Sequence, residues 1–507
     1  MDEMMQSLQK QTDLNIREKA NLIWEIATHL VGLFKPHEYG KVILPMTVLK
    51  RFDDALAPTK KAVLDKYEEL QTKHVVNNVL DASLCKESGM SFYNRSKFDF
   101  AKLVADSDNI EANFEDYLSG FSDNVKDIIT KFKFADTVKT MADGNVLFLV
   151  IQEFNSRKGD MSPDKITSAD MGYIFEELIR KFSESYNETA GAHFTSRDII
   201  YLMTELLIAP EKDEIVTEGC FKTAYDMTMG TSQMLGCLTE RIKAINPNAE
   251  LTCFGQELNE ETYAIAKADM LIKGGNVSGM KQGDTLSDDA FEGYEFDYII
   301  SNPPFGIDWK KDKAYVENEA KLGYSGRFGP GLPAVSDSQM LFLLNGVKKL
   351  KEGCGRMAII QNGSSLFTGD AGSGASEIRK YLITGDLVEA IIQLPNDLFY
   401  NTGIATYIWV ISKNKAVHRL GKIQLIDASK CFVKRRKNIG NKRVDLSDEC
   451  IAMIINAYNA FEDGEHVSGG LKVESKVREN NFFGYTKVTV ETPITDENGK
   501  PVLKRGK

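Results

Sequence analysis

Residues 301–306 read Ser-Asn-Pro-Pro-Phe-Gly and follow the strand-like run Phe-Asp-Tyr-Ile-Ile at 296–300. Two consecutive prolines end a strand and fix the backbone, because each holds φ near −65° and the residue before a proline is kept extended. The carbonyls of Asn302 and Pro303 become rigid acceptors, and Phe305 is an aromatic plate beside them. This arrangement suits an exocyclic amine such as that of adenine, a poor nucleophile because its lone pair is delocalised into the ring. If the Asn302 side-chain oxygen and the Pro303 carbonyl each accept one amine hydrogen, the lone pair is aimed at an incoming methyl group. Positioning and electrostatics are the main catalytic effects available without a protein nucleophile. A base in a duplex reaches such a pocket only by flipping out of the stack.

Three further polar residues end strand-like runs upstream. Asp226 opens Asp-Met-Thr-Met-Gly-Thr-Ser (226–232), a short turn that runs into a helical pattern. Backbone amides of such a turn, and the helix start behind it, can face a ligand. The turn has one glycine, Gly230, where nucleotide-cradling loops carry two or three. Glu257 ends the next run and is placed to accept hydrogen bonds from both hydroxyls of a ribose. Asp284 ends a third and can bond an adenine amino group or cap a turn. No Gly-x-Gly-x-x-Gly follows any strand signal, which argues against dinucleotide-dependent hydride transfer.

The elements that carry these residues alternate. From about residue 220, strand signals at 221–227, 249–258, 296–301, 356–361, 387–394 and 406–412 are separated by helical stretches. Alternation of this kind predicts a mostly parallel sheet with helices on both faces and a ligand beyond the carboxyl ends of its strands. The first 165 residues read instead as helices, with Ile23, Ile26, Ala27, Leu30 and Phe34 on one face of the first. After 445 the pattern is a helix followed by an edge strand at 480–493. The expected domains are 1–165 (helical), 166–420 (catalytic α/β) and 421–507 (basic segment, helix and tail).

Composition narrows the class. The chain has 507 residues, is 42% hydrophobic and carries a net charge of −11. That charge argues against nucleic-acid binding by the whole surface. Residues 413–443 run against the average, with eleven Lys/Arg and one acid, Asp427; this stretch is either a solvated loop or a polyanion contact. No run of 18 apolar residues and no secretion signal is present, so no membrane partner and a cytoplasmic location are expected. Seven cysteines without a Cys-x-x-Cys pair and six scattered histidines predict free thiols and no metal site.

Taken with Asp226, Glu257 and Asp284, the Asn-Pro-Pro-Phe motif resembles amino-group DNA methyltransferases of the gamma class, in which the cofactor loop precedes the catalytic motif. Over roughly residues 15–490 the chain is similar to the modification subunits of type I restriction–modification systems. The similarity is carried by residues 38–54, which begin Glu-Tyr-Gly-Lys-Val-Ile-Leu-Pro, residues 191–199, which begin Gly-Ala-His-Phe-Thr-Ser, and residues 300–309, 356–367 and 394–412. The resemblance implies a Rossmann-like S-adenosylmethionine-dependent methyltransferase fold with a seven-stranded sheet. It implies catalysis by Asn302, Pro303, Pro304 and Phe305. Cofactor contacts are implied for Glu177, His193, Phe194, Thr195, Ser196, Asp226, Thr228, Gly230, Thr231, Ser232, Glu257, Asp284 and Thr285. Phe399 is expected at the target base. Arg327, in a mobile insert (310–335), and Lys434, Arg435 and Arg436 are expected at DNA. The implied partners are double-stranded DNA, a specificity subunit, a second modification subunit and a restriction subunit. Two departures stand out: Met227 replaces the usual proline of the cofactor loop, and Ser232 its second glycine. The alternatives are a protein glutamine-amide methyltransferase, which shares the tetrapeptide, and a catalytically weak scaffold with this fold.

Overall fold

The computed structural model describes residues 19–490, 495 and 497–498, except 20, 74, 76, 168–169, 173, 176–177, 179–194, 305, 401 and 440. The amphipathic helix expected near the N-terminus is present over 21–30, with Ile23, Ile26, Ala27 and Leu30 buried along one side. It packs on α1 (Tyr39–Leu56), α2 (Asp123–Lys131), α3 (Phe134–Asp143) and α4 (Leu147–Phe154), whose apolar faces share one core. α1 is buried along most of its length, Lys50 and Arg51 included. Lys50 Nζ lies 2.5 Å from Asp54, and the Arg51 guanidinium donates to the Met161 carbonyl. Two helices that sequence patterning passes over, Lys60–Thr72 and Asn77–Ser88, close a small core of their own around Val63, Leu70, Leu80, Leu84 and Tyr93.

The second half of the chain is built on strands β1 (Phe221–Asp226), β2 (Glu250–Glu257), β3 (Met280–Gln282), β4 (Tyr298–Ser301), β5 (Arg356–Asn362), β6 (Val388–Gln393), β7 (Thr406–Ser412), β8 (Lys422–Lys430), β9 (Val433–Ile439), β10 (Lys442–Asp445), β11 (Gly464–Ser468) and β12 (Leu471–Glu479). Ten of them form one sheet in the order β11-β12-β8-β6-β7-β5-β4-β1-β2-β3, and β9 and β10 form a separate hairpin. The seven expected strands are the run β3 to β6. The sheet nevertheless has ten strands, because β8, β12 and β11 continue it past the seventh. The C-terminal edge is therefore the β11–β12 hairpin, turned at Gly469-Gly470, both at positive φ; the edge strand expected at 480–493 does not form over its described residues, 480–490. β1, β2, β3, β4 and β5 pair in parallel, as do β6 and β8, while β7 runs antiparallel between β5 and β6.

Alternation along the strands assigns each side chain to a face. Ala224, Ala358, Ile360, Ile408 and Val410 point to one side, where α5 (Arg197–Ile208), α6 (Gln233–Ile245) and the later helix Asp448–Ala460 cover them. Tyr225, Met357, Ile359, Trp409 and Ile411 point to the other. α7 (Glu260–Ile272) starts just after β2 and is buried on two sides. Tyr263, Ala266 and Met270 join the sheet core, while Ala264, Ile265, Ala268 and Leu271 join the core of the N-terminal helices. Beyond it come α8 (Lys313–Ala320), α9 (Gln339–Lys349), α10 (Gly374–Thr384) and α11 (Asp448–Ala460). None of the described helices is long and apolar enough to cross a membrane, and all seven cysteines are free.

A buried charge cluster fastens the C-terminal part to the sheet. Arg356 of β5 donates to Glu389 of β6 (2.9 Å), to the Tyr458 hydroxyl of α11 (2.8 Å) and to the Leu207 carbonyl of α5 (3.1 Å). The Tyr458 hydroxyl donates to the other Glu389 oxygen at 2.5 Å, and Arg419 approaches the same carboxylate at 3.4 Å. The two guanidinium groups hold the Glu389 carboxyl below its usual range against the effect of burial. Removing one member of such a cluster strands the others without compensation. Glu389→Ala is expected to lower unfolding stability by about 3–5 kcal/mol, read as a lower denaturant midpoint; an unchanged midpoint would mean that the cluster is not what joins α11 to the sheet.

Candidate active site

β1 lies between β2 and β4, all parallel, so Asp226, Glu257 and Ser301 emerge at one edge of the sheet. There the Ser301 hydroxyl donates to Asp226 Oδ1 at 2.7 Å, and the Thr228 backbone N–H donates to the same oxygen at 3.0 Å. The Thr228 hydroxyl completes the triangle 2.9 Å from Ser301 Oγ. Asp226 is 1% exposed. Burial pushes its carboxyl up to about 7, the Ser301 and Thr228 bonds pull it down, and the charge of Glu257 adds to the rise.

The turn after β1 is tied to Glu257. Gly230 N–H donates to one oxygen of that carboxylate at 2.9 Å, and Asn259 N–H to the other at 2.8 Å. Gly230 sits at φ +54°, and Ser232, at the start of α6, sits at φ +68°. Ser232 thus adopts the left-handed geometry that glycine favours, at about 1–2 kcal/mol for a residue with a Cβ. Its Oγ is buried without a hydrogen-bond partner among the described residues. Thr231 beside it is buried. Met227 is fully buried, and the Asn345 amide donates to its sulfur at 3.4 Å. Thr285 Oγ1 donates to the Met227 carbonyl at 2.6 Å, so Thr285 braces the loop from behind. The half-buried Asp284 accepts the Leu286 N–H at 2.9 Å, a turn cap, and burial raises its carboxyl.

Asn302 follows Ser301 directly. Its Nδ2 donates to Thr195 Oγ1 at 2.8 Å, and its Oδ1 is buried without a partner among the described residues. The amide is therefore held by its nitrogen with its oxygen left to accept. Pro303 is buried and Pro304 half-buried behind it. Phe305, Glu177, His193 and Phe194 lie outside the described residues. Ser196 stands at the N-terminus of α5 and contacts Asp198 and Lys442, the latter at 3.0 Å. Two carboxylates and two buried, unpartnered oxygens at one sheet edge suit a ligand rich in amine and hydroxyl donors.

Three expectations give way to the structure, those for Arg327, for a mobile insert at 310–335 and for Phe399. Arg327 is 8% exposed: it donates to Glu319, to the Thr285 and Leu286 carbonyls and to Asn345, which leaves its guanidinium no face for DNA. The insert that carries it is folded: it contains α8 and is pinned by Arg327 and by Trp309, whose indole N–H donates to the Ala334 carbonyl at 3.1 Å. Phe399 is 2% exposed and packs in the core under α5 and α11, so it has no face for a target base. The basic segment is no single solvated loop. Lys415, Arg419 and Lys442 are buried in ion pairs, Arg435 pairs with Asp445, and Lys434 and Arg436 stand exposed on β9.

Other residues of the site escape sequence reading. Ser301 looks like the last residue of a strand, yet it bridges Asp226 and Thr228. Asp337 and Gln339, at the start of α9, reach the loop after β4 and the end of β5: Gly306 N–H donates to Asp337 at 3.2 Å, and Gln339 Nε2 lies 2.8 Å from Asn362. Lys442 has no local signal beyond its basic neighbours, and only the fold sets it against Asp198, Ser196 and the Leu398 carbonyl.

Comparison with known proteins follows this geometry. Residues 167–498 match the N-6 DNA Methylase family, and residues 19–154 match the HsdM N-terminal domain. The type I restriction enzyme MjaIX methylase subunit of Methanocaldococcus jannaschii is 25% identical over 499 residues, which is 95% of this chain and 82% of that one. The HindI methylase subunit of Haemophilus influenzae is 26% identical over 342 residues, covering 66% of this chain and 71% of its own. The crystal structure of a type I restriction-modification system methyltransferase subunit from Streptococcus thermophilus has the same fold, with a TM-score of 0.70 at 23% identity over 92% of this chain and 96% of that one. A modification subunit of a putative type I restriction enzyme from Vibrio vulnificus has a TM-score of 0.55 at 15% identity, over 96% and 95% of the two chains. With the Asn-Pro-Pro-Phe tetrapeptide set beside Asp226 and Glu257 and the family match running over residues 167–498, this chain belongs to the N-6 DNA Methylase family.

Proposed function

We propose that the chain methylates the N6 amino group of adenine in duplex DNA, as the modification subunit of a type I restriction–modification complex. The observation that carries this reading is the Asn302 amide, held by Thr195 through its nitrogen with its oxygen buried and unpartnered. Asn302 Oδ1 and the Pro303 carbonyl accept the two amine hydrogens of a flipped adenine and turn its lone pair toward the turn after β1. Phe305 stacks on the base. The cofactor, S-adenosyl-L-methionine, supplies an electrophilic methyl group. Glu257 holds its ribose, Asp284 its adenine, and the segment through Thr195 and Ser196 its methionine end. Asp226 fixes the turn around it. The partners are a specificity subunit, which reads the sequence, a second copy of this chain and a restriction subunit. A chain of net charge −11 fits that division of labour, since a partner specifies while phosphate contacts position. Family membership among DNA methylases weighs against the glutamine-amide substrate, and an intact Asp226–Ser301–Asn302 edge weighs against a scaffold.

Asn302→Ala is expected to lower methyl transfer to duplex DNA by about 10²–10³-fold while cofactor affinity by calorimetry is retained. Tritium transfer from labelled cofactor in the assembled complex measures it, and full activity in the variant would remove Asn302 from the mechanism.

Thr195 acts as a positioning residue. Thr195→Val removes the hydroxyl that holds the Asn302 amide and is expected to cut kcat by up to about 100-fold, with Thr195→Ser restoring most of it. A rise confined to the cofactor KM would assign Thr195 to cofactor binding instead.

Ser232→Gly relieves the left-handed strain and an unpartnered buried hydroxyl together. The cofactor-free protein is expected to gain roughly 1 kcal/mol and to melt higher. Cofactor affinity is expected to fall if the hydroxyl bonds the ligand, and an affinity equal to wild type would take Ser232 out of the contact set.

A further inference from the structure

The hairpin β9–β10 stands outside the ten-stranded sheet, and beside it lies an open cleft of about 640 Å³. Its walls come from the β6–β7 connection (Asn396, Asp397), the end of β8 (Lys430, Phe432) and the hairpin itself (Lys434, Arg435, Asn438, Arg443). Four of the lining residues are cations and one, Asp397, is an acid. Arg435 is paired with Asp445. Lys430, Lys434 and Arg443 are exposed, and none of the three makes an ion pair among the described residues. In a chain of net charge −11, this concentration of uncompensated positive charge in a concave surface needs an anionic occupant.

The cleft is joined to the active site through Lys442, which is 1% exposed. Its ammonium bonds Asp198 and Ser196 Oγ at the start of α5 and the Leu398 carbonyl of the β6–β7 connection, each at 3.0 Å. Arg443 N–H donates to the Asp397 carbonyl at 2.8 Å, closing the same seam. The cleft residues Arg443 and Asp397 are thus direct chain neighbours of Lys442 and Leu398, and Ser196 is the neighbour of Thr195, which holds Asn302. A polyanion in the cleft lies next to the edge where the amine is received.

We propose that this cleft seats the sugar–phosphate backbone of the DNA strand that presents the target base, with Lys430, Lys434 and Arg443 neutralising its phosphates. The inference rests on the reading of the chain as a DNA methyltransferase and adds the place where the strand is held. Phosphate is favoured over an acidic protein surface because the groups are mixed. Cations alternate with the amides of Asn396 and Asn438 and the ring of Phe432, a combination that serves phosphates, sugars and unstacked bases together. Lys442 fixes the hairpin to α5, so the cleft and the Thr195–Asn302 pair keep one spacing.

The test uses the assembled complex and a duplex containing a site that the wild-type complex methylates. DNA affinity is measured against potassium chloride concentration for wild type and for the Lys430→Ala/Lys434→Ala/Arg443→Ala variant. Removing one cation from a phosphate lowers the slope of log affinity against log salt by about 0.9, so the triple variant is expected to show a slope shallower by between about 1 and 3. Replacing phosphates beside the target adenine by neutral methylphosphonates is expected to weaken wild type and to leave the variant unaffected. Calorimetric cofactor affinity stays at the wild-type value in both. If wild type methylates DNA and the variant keeps the full salt slope, the cleft is not the strand site. If the variant loses only its assembly with the specificity subunit, the occupant is an acidic protein surface and the proposal falls. Absence of methylation by the wild-type complex would instead overturn the underlying DNA methyltransferase reading.

Discussion

The hydrogen bond from Ser301 to Asp226 ties together the two strands on which the site is built. A carboxyl buried to 1% exposure is costly to ionise without hydrogen bonds, and Ser301 and the Thr228 amide both donate to its Oδ1. In return the bond fixes how far β4 extends relative to β1. Asn302 is the next residue on one strand, and the Met-Thr-Met-Gly turn is the next segment on the other. The spacing between Asn302 and that turn is thereby set by one side-chain contact between parallel neighbours. The position of β1 between β2 and β4 adds Glu257 to the same edge, where it holds the turn through the Gly230 amide.

Around that contact the protein spends much of its polar chemistry on bracing. Thr285 supports the turn from behind, Arg327 gathers Glu319, Asn345 and the Thr285 carbonyl under it, and Asp337 ties the loop after β4 to α9. Charged side chains that look solvent-bound in the sequence are buried and paired. Preorganisation of this kind suits a reaction in which the protein offers no nucleophile and works by holding donors and acceptors in place.

The central sheet and the candidate site are legible in the sequence because both rest on local signals. The strands at 221–226, 250–257 and 298–301 are short apolar runs that each end in a polar residue, and two prolines mark where the third must stop. Ser232 was readable as a misfit, and its φ of +68° shows why glycine is the easier residue there. What escaped depended on distant partners. Arg327 sits in a polar insert, and its burial follows from Glu319 and from backbone carbonyls about 40 residues away. Phe399 and Tyr400 are adjacent aromatics, and no local pattern tells which faces the core. The β11–β12 hairpin has its Gly-Gly turn in plain view. Its outer strand, however, buries almost nothing, so the alternation that identifies a half-buried strand is missing.

Helix α7 carries a mechanical consequence. Because its Ala264, Ile265, Ala268 and Leu271 belong to the core of the N-terminal helices while Tyr263, Ala266 and Met270 belong to the sheet, neither half can swing away without exposing one of its sides. Wetting Ile265 and Leu271 alone costs about 1.5–3 kcal/mol each. Helix α7 thereby couples the N-terminal helices to the sheet, and parting the two at this helix carries that cost.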